Sequence, residues 1–313
     1  MAAYVLRRFV SAIAVMAMVG IFVFLFVRLA PGDPAGAIAG DKATPEMIAA
    51  IREQLGLNKP MPVQFVHWAV SILSGDFGNS LFSGRPVIEL ISQRLEPTTS
   101  LAILTMVLSV TVGISFGILA AWRTGGFADR ILTAFATLGF SVPVFVVGFF
   151  LIYLLAVTTH WLPVQGYEPI DGGQGSWFVH LILPTVALSL GYIAFIARVT
   201  RASTLEVLSE DYVRTAAAKG ASTYAMLFHH ALKNAGVPIL TVVGISFAYL
   251  ISGVVITETV FNIPGIGRLV VNALNNRDYA IIQSVLILVS GLYVLINLMV
   301  DIAYTLIDPR VRY

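Results

Sequence analysis

The side chains that most often carry catalysis or bind metals are few in this chain and lie far apart. Its 313 residues include five His and no Cys, and only His229 and His230 are adjacent. Neighbouring residues of a helix point about 100° apart, so this pair makes a poor shared metal site. No HExxH, CxxC or Walker phosphate-binding pattern is present. The residue types therefore favour neither a hydrolase nor a metalloenzyme.

Three carboxylate features need a separate interpretation. Asp76-Phe77-Gly78 spells the magnesium-binding motif of protein kinases, but no Gly-rich loop, strand lysine or catalytic-loop motif accompanies it, so it indicates a turn. Glu258 and Asp301 lie at the ends of apolar stretches, where we expect a carboxylate to cap a helix or pair near an interface. Proton-coupled carriers instead place carboxylates inside their spans. The chain thus shows no energy source of its own.

The elements that position these residues follow from the composition. The chain is 58% hydrophobic and only 12% charged, with a mean hydropathy of +0.87, whereas soluble domains are about 25% charged. About 20 helical residues cross a hydrocarbon core, where the backbone must satisfy its own hydrogen bonds. Six apolar stretches are long enough: 9–29, 98–122, 131–157, 179–197, 237–257 and 280–300. We predict an all-α polytopic membrane protein with six transmembrane helices.

The distribution of basic residues predicts the orientation of these spans. If the N-terminus is cytoplasmic, most of the 19 Lys and Arg residues fall in cytoplasmic segments, as the positive-inside rule requires. Both termini are then cytoplasmic. Arg7-Arg8 before the first stretch also suit a signal peptide, but residues 9–29 exceed the 7–15 residues of a signal core, so we expect a retained span. The net charge of +2 reflects this topology and gives no reason to expect nucleic acid as a partner.

One sizeable segment, 31–97, lies outside the predicted spans and reads as a compact helical lobe. Pro31-Gly32-Asp33-Pro34 ends the first span, and Thr44 before Pro45 has the pattern of a helix N-cap. A second helix is predicted over 63–73, and a third apolar pattern precedes Pro97.

Small residues and prolines mark the packing of the spans. Ser109, Gly113, Gly117 and Ala121 recur every four residues, as do Gly244, Ala248 and Ser252. Such stripes let helices approach closely, either within the chain or against another membrane subunit. Pro143 in the third span and Pro184 in the fourth are expected to kink or start helices.

The predicted cytoplasmic stretch 210–236 is too polar to insert and too patterned to be a linker. Glu210-Asp211 open a helical run that Gly220 ends, and Ser222 or Thr223 can cap a second short helix. In that helix Tyr224, Leu227, Phe228 and Leu232 share one face. Because its polar face has few basic residues, we favour docking to a partner protein over binding to lipid.

Several motifs, in order, resemble the permeases of dipeptide and oligopeptide (or nickel) ABC importers. They run nearly end to end: PGDPA, GDFGNSL, GILAAWRTGGFAD, DYVRTAAAKGASTYAMLFHHALKNAGVPIL, ETVFNIPGIGRLVVNALNNRDYAIIQ and DPRVRY. Only Ala216, Gly220 and Leu232 fit the general importer loop pattern, whose acidic residue is missing here. HHALKNAG matches the peptide branch of the family, which favours that branch over sugar or phosphate importers.

The resemblance implies a type I ABC importer permease fold in a bacterial inner membrane. It divides the chain into a first span (1–30), an extracytoplasmic lobe (31–97), a transmembrane domain (95–305) with a cytoplasmic coupling loop (199–236), and a tail (306–313). The implied partners are a second homologous permease, one or two ATPase subunits, an extracytoplasmic substrate-binding protein and the lipid bilayer. The chain itself needs no cofactor, because ATP and magnesium bind to the ATPases.

The resemblance also implies which residues couple the chain to the ATPase. Tyr212, Ala216, Lys219, Gly220 and Ala221 shape the loop, and Ser222, Thr223, Tyr224, Leu227 and Phe228 belong to the helix that docks. On this interpretation Gly220→Asp uncouples transport while the chain still inserts. Peptides are the expected cargo; nickel complexes, glutathione-like peptides and oligosaccharides remain open. A stand-alone secondary carrier and an intramembrane enzyme are the alternatives from other classes.

Overall fold

A computed structural model describes residues 2–29, 35–36, 44–54 and 56–307. Within these residues every regular element is helical. The predicted break at 31–34 and the tail from 308 onward lie outside the described residues. The α-helices are α1 (Ala2–Leu29), α2 (Pro45–Gln54), α3 (Met61–Leu73), α4 (Val87–Trp122), α5 (Phe127–Ser141), α6 (Val144–Leu151), α7 (Gln174–Leu208), α8 (Asp211–Ala218), α9 (Leu232–Asn234), α10 (Gly236–Val260), α11 (Ile266–Asn275) and α12 (Tyr279–Ile307). Two π-helical segments, Ile152–Thr158 and Ala225–Ala231, and a 3-10 turn, Ile170–Gly172, complete the set.

Five of the described helices are long and apolar enough to cross a membrane. They contain Leu6–Leu29, Val87–Trp122, Gln174–Leu208, Gly236–Val260 and Tyr279–Tyr304. The predicted third span, 131–157, is not one straight helix: α5 and the segment Val144–Thr158 meet at a bend of 104°. Pro143 has no N–H to donate and precedes the first residue of α6, so the helix restarts there in a new direction. Counted as one span, the bent pair makes six.

Two other prolines lie within continuous helices. Pro97, expected to follow a short lobe helix, lies inside α4, and Pro184 lies inside α7. A proline removes one intrahelical hydrogen bond and its ring crowds the carbonyl four residues earlier, but contacts on either side can keep the helix continuous. The Thr98 hydroxyl, next to Pro97, donates to Glu258 Oε1 at 2.5 Å. The helix therefore continues through the predicted lobe boundary at 97.

The chain divides into two compact units, which are described separately. The first contains Pro97–Pro264 and the end of α12 from Ile296, and the second contains Arg7–Glu96 with Gly265–Leu295.

In the first unit, α4 packs against α7 through its stripe of small residues. A Cβ added at Gly113 would lie 2.9 Å from Ile196 Cβ, and one at Gly117 would lie 2.5 Å from Thr200 Cβ. The Ser109 hydroxyl donates to the Ser189 carbonyl at 3.5 Å. The stripe is thus an intramolecular contact. The second stripe also packs within the chain, because a Cβ at Gly244 would meet Val300 at 3.0 Å.

In the second unit, the lobe is held to the membrane helices by polar contacts at turns. Thr44 accepts the Met47 N–H at 3.3 Å, which confirms the predicted N-cap of α2. Arg28 at the end of α1 donates from Nε to Gln64 Oε1 at 2.9 Å. Asp278, before α12, accepts the Ser80 hydroxyl at 2.5 Å. This last contact joins the motifs GDFGNSL and NNRDYA, since Ser80 belongs to the first and Asp278 to the second.

The close approach of α4 to α7 yields a stability prediction. Gly117→Ala places a methyl group 2.7 Å from the Ala197 carbonyl oxygen, so we expect the variant to lose about 1–3 kcal/mol of stability through overpacking. Thermal unfolding in detergent measures the loss. Gly175→Ala, also helical but with nothing within 4 Å of the added Cβ, is the matched control and should unfold at or above the wild-type temperature. Equal unfolding midpoints for Gly117→Ala and Gly175→Ala would contradict the close approach of α4 to α7.

Candidate functional site

The coupling loop 199–236 begins as the end of α7 and turns sharply into α8. The Ser209 hydroxyl donates to the Glu206 carbonyl at 2.7 Å, and the Ser209 N–H donates to Leu205 and Glu206 carbonyls. These bonds occupy acceptors that the helix end leaves free. In α8, Val213 is buried and the surrounding residues are mostly exposed. The Val213 side chain thus packs α8 against the rest of the chain, while most other residues of α8 are exposed.

Gly220 ends α8 in a conformation that favours glycine. Its φ is +84°, a region that residues with a Cβ rarely adopt. The Gly220 N–H donates to the Ala217 carbonyl at 3.0 Å, and the Ala221 N–H donates to the Ala216 carbonyl at 3.1 Å. This pair of bonds is a Schellman motif. Ala216, Gly220 and Ala221, predicted to shape the loop, therefore form its turn.

The helix after the turn begins at the predicted cap. Ser222 Oγ accepts the Ala225 N–H at 3.3 Å, and the Ser222 carbonyl accepts the Met226 N–H at 3.0 Å. Of the two candidates, Ser222 is the cap. Thr223 is exposed beside it. The segment then widens into the π-helix Ala225–Ala231.

The four apolar residues predicted to share one docking face separate into two groups. Tyr224 and Phe228 are 65% and 42% exposed, and their rings pack against each other with centroids 4.6 Å apart. Leu227, in contrast, is buried, and so is Ala231 one turn later. Leu227, predicted to belong to the helix that docks, therefore packs against its own chain, and Leu232 is half-buried. A helix at a protein surface must use part of its apolar stripe for its own fold.

A second contact closes the base of the loop. Asn234 Nδ2 donates to the Tyr212 hydroxyl at 2.9 Å and to the His230 carbonyl at 2.7 Å. The Tyr212 ring also lies edge-on to the His230 ring, with centroids 6.5 Å apart. Tyr212 therefore joins the start of α8 to the end of the second helical segment. The two arms of the loop are tied together at this point.

Most residues predicted for the coupling loop are exposed. Those exposed are Tyr212, Lys219, Gly220, Ser222, Thr223, Tyr224 and Phe228, while Ala216 and Ala221 are half-buried. The loop also exposes the acidic side chains of Glu206, Glu210 and Asp211. Exposed aromatic side chains are common in protein-binding surfaces.

Of two buried polar contacts in the first unit, sequence reasoning missed one and expected the other. Asp129 binds Arg201 through both carboxylate oxygens, at 2.6 and 2.9 Å. Glu258 is fully buried and accepts the Thr98 hydroxyl, which confirms that it pairs. Asp129 lies in the motif WRTGGFAD, which indicated only the family resemblance. Arg201 was one of the basic residues that predicted the orientation of the spans.

Two cavities of the first unit border the bend between α5 and α6. One, of about 230 Å³, lies along α5 and α7 and reaches Phe140 and Ser141. The other, of about 410 Å³, lies between the bend, α7 and α10, where Tyr192 and Tyr249 line it. In membranes, interrupted helices occur where the backbone is buried in protein or lines a cavity. Across the described parts of the chain, no cluster of three or more His, Asp or Glu side chains is placed to hold a metal ion.

Comparisons with known proteins agree with this architecture. The family described as binding-protein-dependent transport system inner membrane component matches residues 113–313, and the N-terminal family of these membrane components matches residues 1–102. The chain is 72% identical over 313 residues to a probable peptide ABC transporter permease protein of Sinorhizobium fredii, covering all of both chains. It is 43% identical over 310 residues to the glutathione transport system permease protein of Salmonella typhimurium, covering 99% of each.

A solved structure shares the fold. An inward-facing MetNI methionine ABC transporter superposes with a TM-score of 0.56 at 16% identity, over 71% of this chain and 97% of that one. At this identity the likeness concerns the fold alone. The family matches over most of the chain's length establish what kind of protein this is. The chain belongs to the family of inner membrane components of binding-protein-dependent transport systems, and is an ABC transporter permease subunit rather than an enzyme.

Proposed function

We propose that this chain is one membrane-spanning subunit of an ATP-driven importer for di- or oligopeptides. The observation that carries the proposal is the identity of 72%, over its whole length, to a relative named as a probable peptide ABC transporter permease. An extracytoplasmic binding protein delivers the peptide. The membrane subunits provide the path, and partner ATPases, which bind ATP and magnesium, supply the energy.

The proposed membrane arrangement follows from the charges and the helices. The five long helices and the bent pair cross a bacterial inner membrane as six spans, with both termini cytoplasmic. The first span (1–30) precedes an extracytoplasmic lobe (31–97), which helps receive the binding protein. The transmembrane domain (95–305) contains the cytoplasmic coupling loop 199–236, and the tail (306–313) is cytoplasmic. A second homologous permease completes the path.

The coupling loop is the proposed contact with the ATPase. Tyr224 and Phe228 enter a groove of that subunit, and Lys219, Ser222 and Thr223 surround them. Leu227 and Val213 hold the loop to its own chain, and Tyr212 keeps its two arms together. When ATP binding brings the ATPases together, the loop moves with them and the path changes its side of opening. The compact turn at Gly220 supports this role, because a rigid loop transmits displacement.

A second candidate cargo has an observation in its favour. The relative of 43% identity is named a glutathione transport permease, so small peptides containing a γ-linkage are the alternative to ordinary peptides. Nickel complexes and oligosaccharides have no such support here. A stand-alone carrier would not need a rigid cytoplasmic loop with an exposed aromatic pair.

Purification from the native membrane tests the proposal. The tagged chain, extracted in mild detergent, should bring with it ATPases and a second permease, identified by mass spectrometry. The complete complex, placed in liposomes with its binding protein, should then take up labelled dipeptide or tripeptide. Uptake should occur only when ATP is present on the side of the membrane that carries the ATPases. Uptake of glutathione but not of α-linked peptides would establish the second candidate. Recovery without any ATPase from several detergents would exclude the importer.

Substitutions at Gly220 test the geometry of the turn. Because φ is +84° and no atom lies within 4 Å of an added Cβ, the effect comes from backbone strain rather than from a clash. Strain in this region costs about 1–2 kcal/mol for residues other than Gly and Asn or Asp. We therefore expect peptide uptake per ATP hydrolysed to fall least for Gly220→Asn, more for Gly220→Ala and most for Gly220→Val.

The same comparison separates charge from strain at Gly220. Gly220→Asp and Gly220→Asn adopt the turn about equally well, so any further loss with Asp reports a negative charge at the ATPase contact. Insertion, measured by the amount of chain in purified membranes, should not change for either. Equal uptake by the Val, Asn and wild-type proteins would contradict the assignment of this turn to coupling.

Replacement of the exposed aromatic pair tests docking directly. Truncation of central interface aromatics commonly weakens binding by about 2 kcal/mol or more, roughly 30-fold, so Tyr224→Ala/Phe228→Ala should lose co-purified ATPase. Its thermal stability should be unchanged because both side chains are exposed.

Two control variants complete the docking test. Leu227→Ala removes a buried leucine and should lose about 2–5 kcal/mol of stability. It should keep its co-purified ATPase, which is the opposite of the result expected for the aromatic double variant. Trp161→Ala removes an exposed aromatic side chain outside the loop. It should change neither the amount of co-purified ATPase nor the thermal stability. Full ATPase recovery with the double variant would refute docking through this pair.

A further inference from the structure

The bidentate pair Asp129–Arg201 joins three segments of the first unit. Arg201 Nε and Nη2 donate to Asp129 Oδ1 and Oδ2 at 2.6 and 2.9 Å. Oδ2 also accepts the Gly125 N–H at 2.9 Å, and Oδ1 accepts the Thr133 hydroxyl at 3.4 Å. The Asp129 side chain is only 8% exposed, whereas that of Arg201 is 31% exposed. The carboxylate thus connects the turn after α4, the first turn of α5, and α7.

The other end of α5 also rests on α7. A Cβ at Gly139 would lie 3.2 Å from the Leu190 carbonyl oxygen, so the two helices are in close backbone contact there. The Arg198 guanidinium lies over the Phe140 ring, 5.7 Å from its centroid. The cavity of about 230 Å³ lies along both helices, with Thr137 and Ala197 in its wall. α5 therefore contacts α7 near both of its ends.

This arrangement places the ion pair between the bend and the part of the coupling loop that follows α7, from 209 onward. Arg201 precedes the end of α7 at Leu208 by seven residues, about 10 Å of helix. On the other side, α5 runs from Asp129 to Ser141, where the chain bends by 104° into α6. An arginine fork that binds both carboxylate oxygens fixes orientation as well as distance. A displacement of the end of α7 is therefore passed to α5 as a rigid movement.

We propose that Asp129 and Arg201 are positioning residues that transmit movement of the coupling loop to the bent helix pair α5–α6. This inference rests on the proposed coupling role of loop 199–236. With the pair intact, α5 follows α7 and changes the angle at Pro143, next to the cavities that border the bend. Without it, the loop still receives the ATPase but α5 no longer follows.

The test uses the complete importer in liposomes, with peptide uptake and ATP hydrolysis measured together. Asp129→Asn and Arg201→Gln should each lower uptake per ATP by about tenfold, within the usual range of coupling between sites. Hydrolysis without binding protein should continue, because the ATPase active sites are in the partner subunits. Arg201→Lys keeps the charge but not the planar fork of donors. Its uptake per ATP should therefore lie between the values for the wild type and for Arg201→Gln. The exchange Asp129→Arg/Arg201→Asp should restore most of the uptake per ATP.

A matched control removes an ion pair of similar chemistry. Arg85 and Glu89 bind each other at 2.5 Å, but both side chains are about half exposed, so Glu89→Gln should leave uptake per ATP unchanged. Thermal unfolding of each variant identifies those that fail through loss of fold. Leaving one buried partner unpaired is destabilising, which is why the exchanged pair is included.

A distance measurement keeps the inference testable if the single variants do not fold. The chain has no Cys, so spin labels can be placed at Leu138→Cys on α5, where the side chain is 65% exposed, and at Glu206→Cys, exposed near the end of α7. In the protein with an intact ion pair, this distance should stay the same between nucleotide-free and ATP-trapped states. A change in that distance would overturn the inference, as would full coupling in Asp129→Asn.

The outcomes distinguish a failure of the ion-pair proposal from a failure of the proposed coupling loop or of the proposed cargo. If Gly220→Val uncouples uptake but Asp129→Asn does not, the coupling loop stands and the ion pair has only a structural role. If neither affects uptake per ATP, the coupling role of the loop itself fails. If the complex hydrolyses ATP but takes up no peptide with any binding protein, the proposed cargo is wrong.

Discussion

The close approach of α4 to α7 is the contact on which the Pro97–Pro264 unit depends. At Gly117 an added Cβ would lie 2.7 Å from the Ala197 carbonyl oxygen, so only a residue without a side chain permits it. Lipid provides no hydrophobic force between apolar helices, and close van der Waals packing must hold them together instead. α7, positioned in this way, is also the helix that carries Arg201 and leads into the coupling loop. The geometry of the loop thus begins with two glycines inside the membrane domain.

The bend at Pro143 is the second constraint, and it is the point where the fold departs from a simple bundle. A straight helix over 131–157 would have satisfied its hydrogen bonds throughout, whereas the bent pair leaves two further helix ends at the bend. Such interruptions in transport proteins lie beside cavities, and here both described cavities border the bend. The break is therefore associated with open space rather than with close packing. A helix that can change its angle there changes the shape of that space.

Local chemistry made much of the coupling loop predictable. Glycine at 220 and serine at 222 are strong signals, because a left-handed turn and a side-chain cap are properties of single residues and their neighbours. The division of the apolar stripe was not predictable in the same way. Leu227 and Phe228 are adjacent apolar residues with similar preference for burial, and only the position of the rest of the chain decides which one it covers. The Tyr212–Asn234 contact depends equally on where two arms of the loop meet.

The sequence by itself determined that the chain is helical, that it lies in a membrane and that it belongs among importer permeases. Hydropathy over 20 residues and ordered motifs are one-dimensional properties, so no packing information was needed. The tertiary structure alone decided that Pro143 breaks a span while Pro97 and Pro184 do not, because each outcome depends on contacts beyond the proline. It alone paired Asp129 with Arg201, which are 72 residues apart. Charges that sequence counting assigns to the membrane surface acquire partners only when the helices that carry them are packed side by side.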